Sequence, residues 1–269
     1  MKTKNWWRYL VMIPILFVYL TPFYILLGEA FKSPSDQSSR WVLPTYLYLD
    51  NFKTALDGMI LKGVFGSLII TFFSVVLLVV IGSFAAYPLA RNKSRFNKFI
   101  RIFTMGVMMI PPLSIIVPIY SVMKAIHSIS TFHGVILLLV TFNLPLSIFL
   151  YTNFISSIPR ALDEAATIDG CGPFRTFFSI IMPQLAPVTA SVAILTGVTC
   201  WNDYQFSLYI LQSNRATSVS LAVSSFFAQV SSNPYAAAAA ALLGVLPIVV
   251  VFLFLQRYFI HGMVDSAIK

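Results

Sequence analysis

The stretch Ser157 to Pro183, S-I-P-R-A-L-D-E-A-A-T-I-D-G-C-G-P-F-R-T-F-F-S-I-I-M-P, is a polar interruption in an otherwise apolar sequence. Pro159 suits the first turn of a helix, where its missing N–H costs little, and Ser157 can cap that helix. Apolar residues then recur at helical spacing, at Ile158, Ala161, Leu162, Ala165 and Ala166. The stretch therefore predicts a short helix that begins near its first residue.

Two glycines predict where this short helix ends. Gly170 and Gly172 are plausible terminators, because glycine adopts the left-handed conformation that closes helices at little cost. Pro173 can open a second helix, which carries apolar side chains on one side at Phe174, Phe177, Phe178 and Ile181. We expect a helix, a turn and a second helix, too short and too polar to span a bilayer, where a membrane protein contacts something soluble.

The composition predicts an integral membrane protein of the all-α class. Of the 269 residues, 58% are hydrophobic and only 10% are charged, and the mean hydropathy of +0.83 lies outside the range of soluble domains. The net charge of +9 comes from basic residues beside apolar spans, not from a patch with interleaved aromatics, so we expect no nucleic-acid partner. Cys171 and Cys200 offer no disulfide framework.

Six apolar stretches are long enough to cross a bilayer, and they predict a single transmembrane domain over residues 1–269 with core spans at about 65–260. The stretches run over residues 9–28, 65–90, 102–123, 134–155, 184–211 and 236–256. The first lacks the short core and cleavage site of a signal peptide, so we expect an uncleaved helix. A polar stretch over 212–233 is expected to be exposed on the outer side.

Several spans carry features that predict their packing. Small residues in the second span suit close helix contact, at Gly82, Ser83, Ala85 and Ala86. Prolines interrupt the third span at Pro111, Pro112 and Pro118, and two interpretations stay open: a broken helix beside a pathway, or a packing kink. Kinks are also expected at Pro145 in the fourth span and Pro247 in the sixth.

The basic residues predict the orientation in the membrane. The second span is followed by five positive charges and no acid, at Arg91, Lys93, Arg95, Lys98 and Arg101. With six spans, twelve of the eighteen Lys and Arg residues fall on the side that holds both termini and the 157–183 stretch. The excess of positive charge predicts that this side is cytoplasmic.

The polar stretch resembles the coupling loop of permeases in ATP-binding-cassette (ABC) importers, whose pattern is Glu-Ala-Ala, three residues, Gly, nine residues, Ile, one residue, Leu-Pro. In register are Glu164, Ala165, Ala166, Gly170, Ile180 and Pro183, with Met182 in place of the leucine. The resemblance implies a loop that docks in a cleft of a cytoplasmic ATPase through Glu164, Ala165, Ala166, Asp169, Gly170 and Pro183. The alternative is an amphipathic helix on the membrane surface.

Trp201, Asn202 and Asp203 form the one partly charged cluster within a predicted span. An acid at the bilayer centre costs roughly 2.5–3.5 kcal/mol, so Asp203 should face a cavity, pair, or lie near the outer end of the helix. The triplet resembles one that recurs in carbohydrate permeases, which implies a place on the substrate pathway. An aromatic face beside amide and carboxylate groups suits a sugar. A cluster that only packs and caps helices is the alternative.

The resemblance implies the remaining partners. It predicts a second homologous permease, an ATPase dimer that holds ATP and Mg, and an extracytoplasmic sugar-binding protein, in the cytoplasmic (inner) membrane of a bacterium. The chain has no G-x-x-x-x-G-K-[ST] motif, and we expect no catalytic residue, metal site or bound cofactor on it. The ending Asp265-Ser266-Ala267-Ile268-Lys269 also resembles that of sugar permeases, although it lacks their glycines.

Two rival functions remain open from the sequence, and a third is disfavoured. One is an ABC permease for a solute other than sugar. Another is an ion-coupled secondary carrier, for which Asp203 would be the sole acid within a span. A membrane-embedded enzyme would need several convergent titratable groups in the spans, which the sequence does not supply.

Overall fold

The computed structural model describes the backbone of residues 6–213, 215–228 and 233–267, and the side chains of these residues except 6, 7, 228, 255 and 257–267. Within these ranges every element of regular secondary structure is a helix. In chain order the α-helices are α1 (Trp6–Ala30), α2 (Asp50–Asp57), α3 (Ile60–Arg91), α4 (Arg95–Val107), α5 (Ile116–Ala125), α6 (Phe132–Ser157), α7 (Ala161–Ile168), α8 (Pro173–Thr176), α9 (Met182–Gln184), α10 (Ala186–Trp201), α11 (Gln205–Ile210), α12 (Val219–Ala228) and α13 (Pro234–Ala267). A 3₁₀ turn precedes α5 at Pro112–Ile115, and a π turn precedes α9 at Phe177–Ile181.

Four helices of the described chain are long and apolar enough to cross a membrane, namely Arg8–Ala30, Ile60–Arg91, Phe132–Ser157 and Pro234–Phe254. Two further pairs of helices are apolar enough to cross a membrane together, but each pair is bent at a short break. Arg95–Val107 and Pro112–Ala125 meet at 93°, and Pro173–Gln184 and Ala186–Trp201 meet at 74°. The chain thus holds four spans, or six if each bent pair is one span.

Helices α3 and α6 form the centre of the bundle and approach closely at small residues. A Cβ atom on Gly82 would lie 2.0 Å from the Ser147 hydroxyl oxygen, so only glycine fits there. That hydroxyl donates to the carbonyl of Leu78 at 2.8 Å. Gly82, Ser83 and Ala86 are buried, as the small-residue pattern predicted. Contact at this distance is a main source of helix association in a bilayer, where burial of apolar surface contributes little.

The segment between the last two spans is more buried than predicted. Gln212 and Arg215 are exposed as expected, but residues 216–219 are buried against α3 and lead into α12. The Val219 amide donates to the Ser67 hydroxyl at 2.9 Å. A Cβ atom on Gly66 would lie 2.0 Å from the Thr217 carbonyl. The absence of a side chain at residue 66 therefore lets this segment pack on the bundle. Asn214, Ser231 and Ser232 lie outside the described residues.

Candidate functional site

The first helix of the 157–183 loop begins later than the sequence predicted. Ser157 does not cap α7, because it is the last residue of α6 and its hydroxyl donates to the Phe154 carbonyl at 2.8 Å. Helix α7 starts at Ala161, and Arg160 at its N-cap makes no side-chain cap bond. A proline disfavours the helical conformation of the residue before it. Because Pro159 follows Ile158, α6 ends before Ile158.

Helix α7 ends at Gly170 in a Schellman motif. Gly170 has φ of +77°, its amide donates to the Thr167 carbonyl at 3.0 Å, and the Cys171 amide donates to the Ala166 carbonyl at 2.8 Å. Gly172 has an ordinary φ of −72° and precedes α8, which begins at Pro173 as predicted. Of the two glycines, only Gly170 adopts a conformation that other residues resist.

The two sides of α7 face different surroundings. Ile158 is buried and Leu162 is partly buried in a cluster with Tyr151, Ile155 and Phe177, between α3 and α6. The predicted apolar face is divided, because Ala161 and Ala165 are exposed. Ile168 is 87% exposed on the outer face, and sequence analysis did not single it out, although it lies one turn beyond Glu164.

The predicted coupling residues are mostly at the surface. Glu164, Ala165, Asp169, Gly170 and Pro183 are exposed. Ala166 is 2% exposed and belongs to the inner face of α7. The loop therefore presents one short helix to the outside while its other side is held by the bundle.

A polar cluster, Tyr87–Arg91–Asp163, joins α7 to the end of α3. The Tyr87 hydroxyl donates to Asp163 Oδ1 at 2.7 Å. Arg91 Nη2 lies 2.7 Å from Asp163 Oδ2 as an ion pair outside hydrogen-bond geometry, and Arg91 Nη1 donates to the Ile158 carbonyl at 2.9 Å. The paired side chains are only 13% and 20% exposed, so water screens them less than a surface pair. The cluster therefore connects α7 directly to the end of α3.

A second connection runs from the loop into α10 through a sharp bend. Pro183 and Pro187 each lack an amide hydrogen, and they flank the point where the chain turns by 74°. A π turn at Phe177–Ile181 precedes the bend, and Phe177 and Ile181 are buried. Such π turns commonly occur at functional positions. The loop thus continues into α10 without a flexible linker.

The stretch predicted as the fifth span, over 184–211, is not one continuous helix. Helix α10 ends at Trp201, and α11 starts at Gln205. The Asp203 carboxylate accepts from the Phe206 amide at 3.2 Å, and from the Ser207 amide and hydroxyl at 2.9 and 2.8 Å. These donors in the first turn of α11 stabilise the break, so Asp203 has a structural role.

The three residues of the triplet do not share one surface. Trp201 is 4% exposed, and its indole N–H donates to the Gly244 carbonyl of α13 at 3.2 Å. It borders an apolar cavity of about 300 Å³ between α3, α10 and α13. Asn202 and Asp203 instead line a separate cavity of about 620 Å³. The expected surface with the Trp201 ring beside amide and carboxylate is therefore not formed.

The break between α4 and α5 and the break between α10 and α11 both border this larger cavity. Its wall contains Met108, Ile110 and Pro112 from the break in the third span, and Asn202 and Asp203 from the break in the fifth. Irregular backbone at membrane depth is tolerated where it lines a cavity or is covered by protein. The geometry thus favours the broken-helix interpretation of Pro111 and Pro112. Polar and aromatic side chains that sequence analysis did not select also line the wall, at Phe142, Asn143, Tyr204 and Gln205.

Two other sequence features add little to the site. Within the described residues, no group of three or more His, Cys, Asp or Glu side chains is placed to hold a metal ion. The C-terminal run over 256–269 continues α13 to Ala267, and its side chains from Arg257 onward lie outside the described set.

Comparison with known proteins identifies related chains. The sequence model for "Binding-protein-dependent transport system inner membrane component" matches residues 78–265. The melibiose/raffinose/stachyose import permease protein MelC of Bacillus subtilis is 41% identical over 93% of this chain and 92% of its own. A probable starch degradation products transport system permease protein, AmyC of Thermoanaerobacterium thermosulfurigenes, is 32% identical over 94% and 92%.

A solved structure shows the same fold. A chain from the crystal structure of a bacterial ABC transporter involved in the import of the acidic polysaccharide alginate superimposes with a TM-score of 0.84. The superposition covers 95% of this chain and 96% of that chain, at 16% identity. The helix arrangement described above is therefore found in an ABC importer.

Proposed function

Because the chain belongs to the family of binding-protein-dependent transport system inner membrane components, we propose that it forms half of the translocation pathway of an ATP-driven carbohydrate importer. It is a multi-pass permease subunit of the inner membrane and not itself an enzyme, since ATP is hydrolysed on a separate subunit of such importers. The domain occupies residues 1–269, with both termini and the 157–183 loop in the cytoplasm.

One observation carries the substrate class. The 41% identity to MelC extends over 93% of this chain, so it includes the pathway and the coupling loop together. AmyC, a second relative at 32% identity, also has a name that refers to carbohydrate. We infer a carbohydrate solute, and a permease for a different solute is the nearer rival.

The cavity of about 620 Å³ is the part of the pathway that this chain contributes. Its polar groups include the side-chain amide of Asn202, which is an exposed residue whose side chain makes no hydrogen bond within the described chain. Tyr204 and Phe142 provide aromatic surface on the same wall, as stacking on a sugar requires. Trp201 acts as a positioning residue, because its bond to Gly244 fixes the end of α10 against α13.

The exposed face of α7 is the docking surface for the ATPase. Glu164, Ala165, Asp169 and Gly170 would contact the ATPase, and Ile168 adds an apolar side chain that is 87% exposed. Closure of an ATPase dimer around ATP and Mg would move α7, and the Tyr87–Arg91–Asp163 cluster would carry the movement to α3. A second homologous permease and an extracytoplasmic sugar-binding protein complete the importer.

An ion-coupled carrier is less consistent with the geometry. Such carriers use membrane-embedded acids to bind the coupling ion. The Asp203 carboxylate is already engaged by three donors of α11. A coupling ion would have to compete with these bonds.

Affinity purification of the chain from native membranes tests the proposal. We expect a second permease and an ATPase to copurify, and the binding protein found with them can then be screened against sugars. Recovery of the chain alone, with solute uptake driven by an ion gradient, would contradict an ABC importer. Recovery of the importer with a binding protein that ignores carbohydrates would contradict only the substrate class.

A further inference from the structure

A basic cavity of about 650 Å³ lies where the end of α3, the first turns of α4 and the end of α6 meet. Its wall carries five basic side chains, those of Arg91, Lys93, Lys98, Arg101 and Arg160. In the described part of the chain, no Asp or Glu side chain belongs to this wall. Five cations around one opening attract an anion strongly.

Three of these cations have no partner among the described residues. Arg91 is paired with Asp163, and the Arg160 guanidinium donates to the Arg91 carbonyl at 2.9 Å. Lys93, Lys98 and Arg101 are exposed, and no side-chain hydrogen bond or ion pair occupies them within the described chain. They are therefore free to bind a ligand.

The rest of the cavity wall is part apolar and part polar. Leu89, Ala90, Ile102 and Met105 are its apolar members, and Asn92, Ser94, Asn97 and Ser156 are its uncharged polar members. Arg101 and Met105 also line a narrow groove that continues between α4 and α6 past Ile148 and Phe149. Positive charge therefore meets hydrocarbon surface at one end of the spans.

The outer face of α4 is aromatic. Phe96, Phe99 and Phe103 follow a spacing of i, i+3 and i+7 and are 70%, 60% and 59% exposed. At helical spacing this stripe lies on the opposite side of α4 from Arg101 and Met105, so it faces away from the groove.

We propose that this cavity binds the headgroup of an anionic phospholipid, with the phosphate between Lys98 and Arg101 and the acyl chains along the exposed side chains of Ile102 and Met105. Basic pockets between helices on the cytoplasmic side are suited to acidic headgroups. Basic residues that serve only to orient the spans in the membrane have no reason to surround a cavity, so the grouping of these five indicates a binding role as well. Because Arg91 and Arg160 share the wall and also contact each other and α7, the lipid lies beside the connection between α3 and α7.

The test uses the purified chain with its copurifying subunits, titrated with phosphatidylglycerol or phosphatidylcholine of the same acyl chains and followed by native mass spectrometry. Arg101→Gln and, separately, Lys98→Gln remove one charge from the wall. Arg95→Gln is the matched control, because Arg95 is on the same helix but outside the wall. Each variant is first checked for copurification of its partners, so a failure of assembly is recognised.

We expect preferential retention of phosphatidylglycerol, an affinity about fivefold lower for each wall variant, and wild-type affinity for Arg95→Gln. Equal retention of both lipids would overturn the proposal, as would equal losses in the wall and control variants. Displacement of the lipid by millimolar inorganic phosphate would instead assign the cavity to a soluble anion and also overturn it.

Discussion

The loop at 157–183 and the break after Trp201 interrupt two membrane helices in opposite ways. In the loop, α7 is held from behind by Ile158 and Leu162, and Ile168 stays 87% exposed. At the break, Trp201 is 4% exposed and the Asp203 carboxylate is used by α11. The exposed side of α7 is left without contacts to the bundle, whereas the residues at the break are divided between contacts with other helices and the wall of a cavity.

The difference follows from the surroundings of each interruption. Water can satisfy the free backbone and polar groups of a surface loop, so the exposed side chains of α7 remain available to a partner. An unsatisfied polar group within the membrane costs several kcal/mol, so a break there must first bond its own backbone and charges. Asp203 meets that requirement, and Asn202 is left to face the cavity.

The largest effect is expected at Gly170. Gly170→Asp should leave the protein inserted but reduce ATP-driven uptake at least about a hundredfold, because the left-handed turn and the docking surface both oppose the new side chain. Uptake and copurification of the ATPase are measured together. Gly172→Asp carries the same charge at an ordinary φ of −72° and should retain most uptake. Equal loss in both variants would show that charge alone, not the turn, is responsible.

A smaller effect is expected at the Tyr87–Arg91–Asp163 cluster. Asp163→Asn should lower uptake about tenfold while the ATPase still binds, because α7 keeps its outer face but loses its ion pair to α3. The double variant Asp163→Asn with Arg91→Gln should take up solute no more slowly than the slower of the two single variants, because both changes remove the same ion pair. Arg91→Gln combined with Asp169→Asn should instead be additive. Additivity in the first pair would contradict transmission through the ion pair.

A moderate effect on uptake is expected from a change at Asn202, on the wall of the cavity of about 620 Å³. Asn202→Ala should lower the maximal uptake rate about fivefold, as expected for one lost hydrogen bond to the solute. Asn153→Ala is a suitable control, because Asn153 is exposed on α6 and lies outside the cavity of 620 Å³. If both variants behave alike, Asn202 does not contact the solute.

The smallest effect is expected at Trp201. Trp201→Phe removes the bond from the indole N–H to Gly244 and should lower the stability of the purified importer by about 1 kcal/mol. Thermal unfolding measures this change, and uptake per assembled importer should be unchanged. A loss of uptake as large as that of Asn202→Ala would place the Trp201 ring on the pathway after all.

The predictions from sequence agree best with the structure where neighbouring residues alone determine the conformation. Gly170 was expected to end α7, and it does so because its positive φ depends only on neighbouring residues. Ser157 was wrongly expected to start α7, because α6 continues through it. The span over 184–211 was expected without a break, although the alternative that the triplet packs and caps helices agrees with the three bonds that Asp203 accepts from α11.

The amino-acid sequence by itself determined that this is a helical membrane protein, where its long helices lie, and which stretch interrupts them, because hydropathy, proline and glycine act over a few residues. Only the tertiary structure decided that Asp163 meets Tyr87, 76 residues away, and that the breaks near Pro112 and Asn202 face one cavity. It also decided that Trp201 turns away from its two neighbours. These outcomes depend on how distant helices pack, and adjacent residues in the sequence carry no information on that choice.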